Sequence, residues 1–239
     1  MSEDHFLANE KRILNDIKSR EKKALETGLV SKLPKDGEVQ SGYIIYLTHD
    51  DIIEHRVSEF SLNLSKALDG NSILYGSFCG YRNSSNIHTT IATCNKKNVS
   101  SFKLDRNILY KLSNIAEKSI NSFLKTDKCP ILNYSQFIYN DEKVIAEPEN
   151  SSGFFKLMEM IIKESRGKIN SLKSTWGKHI TVGRFTKNTP SEELEKFKEL
   201  MKNQPENFCI NDGREGVVSL NTGYFLLSNK NFELIPYSA

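Results

Sequence analysis

The residues best equipped for chemistry in this chain form two short triplets, each followed by an apolar residue: His88-Thr89-Thr90-Ile91 and His179-Ile180-Thr181-Val182. Each lies in a run that reads as a β-strand, where alternate side chains share a face. His88 with Thr90, and His179 with Thr181, therefore present an imidazole and a hydroxyl to one surface, roughly 7 Å apart along the strand. Histidine, with a reference pKa of about 6.5, takes or gives a proton near neutral pH. Two imidazoles on opposite sides of a phosphodiester can deprotonate the attacking oxygen and protonate the leaving one. The threonine hydroxyls can donate hydrogen bonds to the non-bridging oxygens, where negative charge must be held. This arrangement requires no metal. Spacing does not decide which imidazole is acid and which is base. A single triplet reads as ordinary strand residues near a core edge. With five histidines in the chain, two such triplets arise by chance roughly one time in fifty, so the pair reads as a functional unit.

The elements that must position them follow from periodicity and punctuation. A charged helix over residues 8–28 ends at Gly28, and the turn-rich Leu33-Pro34-Lys35-Asp36-Gly37 separates it from the rest. The expected order is then a strand over 42–48, a helix over 51–68 capped by Asp50, and a strand over 72–79. A polar loop over 80–86 leads to a strand over 87–94 and an amphipathic helix over 105–124. The second half repeats this rhythm: a hairpin over 131–139 and 143–147, a helix over 153–166, a strand over 179–185 and a helix over 191–203. Two closing strands over 217–222 and 224–227 precede a tail that includes Phe232–Pro236. Mixed strand pairs with interspersed helices predict an α+β architecture of two similar antiparallel-sheet lobes with flanking helices. The lobes are expected at roughly 39–125 and 126–239, with residues 1–38 as an N-terminal helical extension.

Composition narrows the class. The 239 residues carry 33 Lys+Arg against 30 Asp+Glu, a net charge of +3. Broad coating of long nucleic acid needs a stronger basic surplus; a local basic cleft for a small anion does not. Cys79, Cys94, Cys129 and Cys209 lack metal-ligand or disulfide-framework spacing and read as reduced thiols. The acidic start, Ser2-Glu3-Asp4, is unlike a signal sequence, and no run approaches the ~20 apolar residues of a membrane span. A cytoplasmic monomer with no membrane association is expected.

The paired motifs resemble those of the two-histidine (2H) phosphoesterase superfamily, which includes RNA 2′,3′-cyclic phosphodiesterases, 2′,5′-RNA ligase-like proteins and enzymes that degrade 2′,5′-oligoadenylates. The likeness in element order spans roughly residues 40–239. It implies one His-x-Thr motif per lobe, facing across a central cleft, with His88, Thr90, His179 and Thr181 catalytic. It implies a nucleotide or short RNA as substrate, cleaved at a 2′,3′-cyclic phosphate, a 2′,5′ linkage or a cyclic oligonucleotide, with no cofactor and no metal. The family's second motif often continues to an arginine, here Arg184; strict alternation sets it opposite His179 and Thr181, but strand ends twist or bulge easily. The resemblance also implies an aromatic wall against the base, with Tyr81, Tyr134, Trp176, Phe185 and Tyr224 as candidates. Trp176 reads more readily as core. Arg82 and Lys178 could meet a phosphate, or simply be solvated. His5, His49 and His55 read as surface or capping residues. The alternative is a catalytically silent RNA- or nucleotide-binding module of the same fold.

Overall fold

Residues 43–47 bury every side chain, so this stretch reads as a continuous apolar run rather than an alternation. The strand that contains them, β1 (Val39–His49), lies inside an antiparallel sheet with nine strands among the described residues. The other strands are β2 (Ile73–Leu74), β3 (Thr89–Val99), β4 (Tyr134–Tyr139), β5 (Lys143–Pro148), β6 (Lys173–Ser174), β7 (Ile180–Arg184), β8 (Val218–Leu227) and β9 (Phe232–Pro236). Five α-helices accompany them among the described residues: α1 (Glu3–Thr27), α2 (Asp51–Ala67), α3 (Arg106–Phe123), α4 (Phe154–Ser165) and α5 (Glu195–Lys202). The computed structural model describes residues 3–74, 86–101, 103–149, 152–204, 210 and 215–237. None of the described helices is long and apolar enough to cross a membrane.

The strand order is β4-β5-β7-β3-β1-β8-β9, with every pair antiparallel. Two short strands sit off this path in a reciprocal way: β2, which precedes β3, pairs with β7, and β6, which precedes β7, pairs with β3. The two faces of the sheet carry different cores. Tyr43, Ile45 and Leu47 of β1 enter the main core, together with Ile53, Val57 and Leu64 of α2, Leu109 and Leu112 of α3, Leu157 and Ile161 of α4 and Phe197 of α5. Ile44 and Tyr46 point the other way, into a smaller cluster with Ile73, Phe225, Leu227, Phe232 and Leu234.

Helix α1 is docked on the body. Phe6 and Ala24 join the main core, while Leu14 and Ile17 form a third cluster with Ile138 of β4 and Ile145 of β5. Lys18 pairs with Glu147 at 2.6 Å, and Arg20 pairs with Asp141 and Glu142. Gly28 ends the helix at φ +92°, a left-handed conformation suited to glycine, and Leu29 then bridges to Thr189.

Several boundaries differ from expectation. The two closing strands are one, β8, which runs through Gly223. The carbonyl of Ile235 comes so close there that a Cβ would overlap it. The supposed tail is β9, paired with β8 from Leu227↔Phe232 to Gly223↔Pro236. The helix over 191–203 opens as a 3-10 turn, Ser191–Glu193, before α5. Of the strand expected over 72–79, only β2 is described. Cys79, Tyr81, Arg82 and Cys209 lie outside the described residues. Cys94 and Cys129 are free thiols.

Candidate active site

The two triplets meet where β3 and β7 touch, at the antiparallel pair Thr89↔Ile180. Extending that register by one residue each way sets His88 beside Thr181 and Thr90 beside His179. Thr89 and Ile180 are fully buried on the main-core side, and the four motif side chains share the opposite face. Thr90 and Thr181 are half-buried, as is His179, whereas His88 is only 8% exposed.

The apolar residue that follows each triplet has a defined geometric role. Tyr46 opposes Thr90 and Ile45 opposes Ala92, which leaves Ile91 as an extra residue in β3. Likewise Ile145 opposes Thr181 and Val144 opposes Gly183, which leaves Val182 as an extra residue in β7. Both are β-bulges, each one residue past the threonine. Ile91, Ala92 and Val182 all enter the main core, and a Cβ on Gly183 would meet Leu64 there at 3.0 Å. Each bulge spends two successive residues on the core face and so inverts the alternation beyond it. Arg184 consequently returns to the face of His179 and Thr181, where it opposes Lys143.

Aromatic rings flank both imidazoles. His88 stacks on Phe232 (centroids 5.7 Å, 11°) and meets Tyr46 edge-on at 5.8 Å. His179 stacks on Trp176 (4.1 Å, 15°). The Nδ1 of His88 lies 2.7 Å from the Asn86 carbonyl. A carbonyl can only accept, so Nδ1 carries the hydrogen and the neutral ring keeps its lone pair on Nε2. The Asn86 amide in turn bonds the Phe232 carbonyl and the Leu234 N–H, each at 3.0 Å, which ties His88 to β9. The Gly177 carbonyl, two residues before His179, likewise favours that ring's protonated form. Among the described residues His179 Nδ1 makes no hydrogen bond.

Burial lowers the His88 pKa to about 4, with the Asn86 carbonyl pulling the other way. Burial and then the Lys143 charge hold His179 well below 6.5, with Arg184 and His88 adding to the depression. Lys143 is itself lowered to about 8 by burial, then by Arg184, with Lys96 and Arg20 contributing and Glu142 opposing. Its ammonium lies 5.4 Å from the Trp176 ring centroid. Aromatic rings thus lie on both sides of the face, and the cations Lys143 and Arg184 act on the His179 side. Among the described residues no group of three or more His, Cys, Asp or Glu side chains is placed to hold a metal ion.

No known protein-family model and no curated protein matches the chain.

Other expected site residues fall elsewhere. Tyr134 and Phe185 are fully buried in the main core, and Tyr224, paired with Tyr43, packs against that same core. All three are therefore corrected from base-stacking positions to packing positions beneath the motif face. Tyr134 instead hydrogen-bonds the Thr89 hydroxyl at 2.5 Å, and that hydroxyl also meets His49 Nε2 at 3.1 Å. His49, expected at the surface or capping a helix, closes β1 and is buried beneath the first motif. Lys178 is neither solvated nor turned to the motif face, since it forms a buried ion pair with Glu10 at 2.9 Å. Trp176 packs against the third cluster, as its core reading expected, and also stacks on His179. The sequence reading missed Tyr46, Asn86, Lys143 and Phe232. Tyr46 alone carried a usable signal, being an aromatic inside an apolar strand.

Proposed function

We propose that this chain is a phosphodiesterase of the two-histidine type, acting by acid–base catalysis on a nucleotide or short oligonucleotide. The observation that carries the reading is the meeting of both His-x-Thr triplets on one face at Thr89↔Ile180, each held by a bulge just past its threonine. In this reading one histidine takes the proton from water or a ribose hydroxyl as the new P–O bond forms. The other gives a proton to the departing oxygen as the old P–O bond breaks. A neighbouring hydroxyl as nucleophile yields a cyclic phosphate, and water yields an open monoester. Thr90 and Thr181 hold the non-bridging oxygens. The bilobal, pseudo-symmetric arrangement of such enzymes is supported by the reciprocal pairing of β2 with β7 and β6 with β3.

The two rings are not equivalent. His88 donates a formed hydrogen bond to Asn86, while His179 feels Lys143 and Arg184. This supports His88 as the acid and His179 as the base, with the substrate's negative charge restoring the acid's proton affinity.

The test compares wild type, His88→Ala and His179→Ala on labelled 2′,3′-cyclic, 2′,5′-linked, 3′,5′-linked and cyclic oligonucleotide substrates in EDTA. Each substitution is expected to lose 10²–10⁴-fold in rate. Full activity in either variant overturns the mechanism, and loss of wild-type activity in EDTA indicates a metal. One observation favours a second reading, a binding module without turnover: burial keeps both rings deprotonated at neutral pH in the unliganded protein. Tight binding of uncut oligonucleotide by wild type would support that reading.

A further inference from the structure

Thr89 and Ile180 are the middle residues of the two triplets, so the backbone that carries all four motif side chains is joined at their antiparallel pair. The support there is thin. On one side of it, β1 pairs with β8 without a break from Gln40↔Leu227 to His49↔Val218. On the other, β7 pairs with β5 from Lys143↔Arg184 to Ala146↔Ile180. Between β3 and β7 themselves, Thr89↔Ile180 is the single ladder pair among the described residues. Beyond it β3 takes up β6 at Ala92↔Ser174, and β7 takes up β2 at Leu74↔Gly183. One pair fixes the separation of two side chains poorly, and a misplacement of about 1 Å can cost roughly 10²-fold in rate.

A brace lies beneath this seam. Thr89 turns its hydroxyl to the core face, where it meets the Tyr134 hydroxyl at 2.5 Å and His49 Nε2 at 3.1 Å. His49 belongs to β1, on the same side of the seam as Thr89. Tyr134 belongs to β4, beyond β7 and β5 on the other side, so its bond to Thr89 crosses the seam. Its backbone is anchored there, opposite Pro148 of β5 and with its carbonyl accepting the Ile210 N–H at 2.9 Å. Its ring also meets His49 edge-on, with centroids 5.5 Å apart at 83°. Tyr134 and Thr89 are fully buried, so bulk water does not make good a lost bond. A phenylalanine would fill the same core space. What the hydroxyl adds is the link across the seam.

We propose that Tyr134 is a positioning residue for the paired imidazoles: its hydroxyl, bonded to Thr89 across the seam, sets how far His88 stands from His179. This rests on the phosphodiesterase reading and goes beyond it, because Tyr134 works from the core face through Thr89 and does not touch the substrate.

The test uses Tyr134→Phe and Thr89→Val, which remove one hydroxyl each and keep the shape, with Thr89→Ser as the variant that keeps the bond. Two substrates are compared: the nucleotide ester that wild type cleaves fastest in the panel above, and bis(4-nitrophenyl) phosphate, whose leaving group needs no proton. An ester that needs both imidazoles is sensitive to their separation, and one that needs a single imidazole is far less so. Tyr134→Phe and Thr89→Val should therefore lose at least ten-fold in kcat on the nucleotide ester with KM within two-fold, and less than three-fold on the nitrophenyl ester. Thr89→Ser should keep wild-type rates on both. Unchanged kcat in Tyr134→Phe overturns the proposal, as does an equal loss on both esters or a loss shared by Thr89→Ser. Amide hydrogen exchange gives a second readout that needs no turnover. In Tyr134→Phe the amides of residues 88–91 and 179–182 should exchange at least ten-fold faster, while those of the β1–β8 ladder stay within two-fold. Exchange that is unchanged at the seam, or faster throughout the sheet, makes Tyr134 an ordinary core residue and overturns the proposal. If His88→Ala cleaves as fast as wild type, the phosphodiesterase reading fails, and the exchange rates still decide whether Tyr134 holds the two triplets together.

Discussion

Glu10 of α1 accepts the backbone N–H of Lys178 at 2.6 Å and pairs with the ammonium of the same residue at 2.9 Å, one position before His179. Both side chains are nearly sealed from solvent, at 6% and 5% exposure. Gly177 permits this approach, since a Cβ there would stand 2.7 Å from Glu10 Oε1. The N-terminal helix is thereby fastened to the segment that presents His179. Removing one partner of a buried pair leaves an uncompensated charge and costs about 3–5 kcal/mol. Glu10→Leu and Lys178→Met should each lose that much, and the double variant clearly less than the sum. Urea denaturation of the four proteins measures the coupling, and simple additivity would dissolve it.

The inequivalence of the two imidazoles predicts a dependence on the leaving group. A nitrophenyl phosphodiester expels its leaving group without needing a proton, so the acid becomes dispensable. On that substrate His88→Ala should lose less than about 10-fold, while His179→Ala still loses 10²–10⁴-fold. Rates of both variants on nitrophenyl and ordinary nucleotide esters decide this. Rescue of His179→Ala instead would exchange the two roles.

The sequence exposed the chemistry more readily than its surroundings. The strand period alone put His88 with Thr90 and His179 with Thr181, because alternation is a local property of the backbone. The same period alone sets Arg184 on the far face, because the bulge that returns it is set by the partner strand and not by the residues that form it. The trailing Ile91 and Val182 were visible as a repeated pattern, yet their reason appears only in the register with β1 and β5. Phe232 and Lys143 reach the site through pairings between segments distant in the chain, which no local pattern encodes. Tyr134 and Phe185 were drawn toward the cleft by their aromatic type, whereas hydrophobic burial claimed them for the core.

Acid should weaken the fold through the buried histidines. His49 is lowered to about 3 by burial and then by the His88 charge, and His88 to about 4 by burial. Both folded values lie below the unfolded value of about 6.5. Between those limits the unfolded chain binds more protons, so stability is complete above pH 6.5 and falls as pH drops toward 4. For His88 alone the loss is on the order of 3 kcal/mol. Urea midpoints at pH 7.5, 6 and 5 should fall steadily, and His49→Gln should flatten the slope. A midpoint independent of pH over that range would remove the depressed histidines from the account.

The single tryptophan of the chain, Trp176, is stacked on His179 at 4.1 Å and so reports on that ring directly. An imidazolium quenches indole emission more strongly than a neutral imidazole does. Because burial and the Lys143 charge depress His179, emission from the unliganded protein should stay constant through pH 7 and fall only well below pH 6.5. Replacement of His179 by Ala should abolish this transition while circular dichroism stays native. A bound phosphate offsets Lys143 and Arg184 and favours the charged ring, so a 5′-phosphorylated dinucleotide should move the transition to higher pH. Emission that ignores pH while the fold persists would separate Trp176 from His179. A transition that the dinucleotide leaves in place would mean that the bound anion does not act on His179.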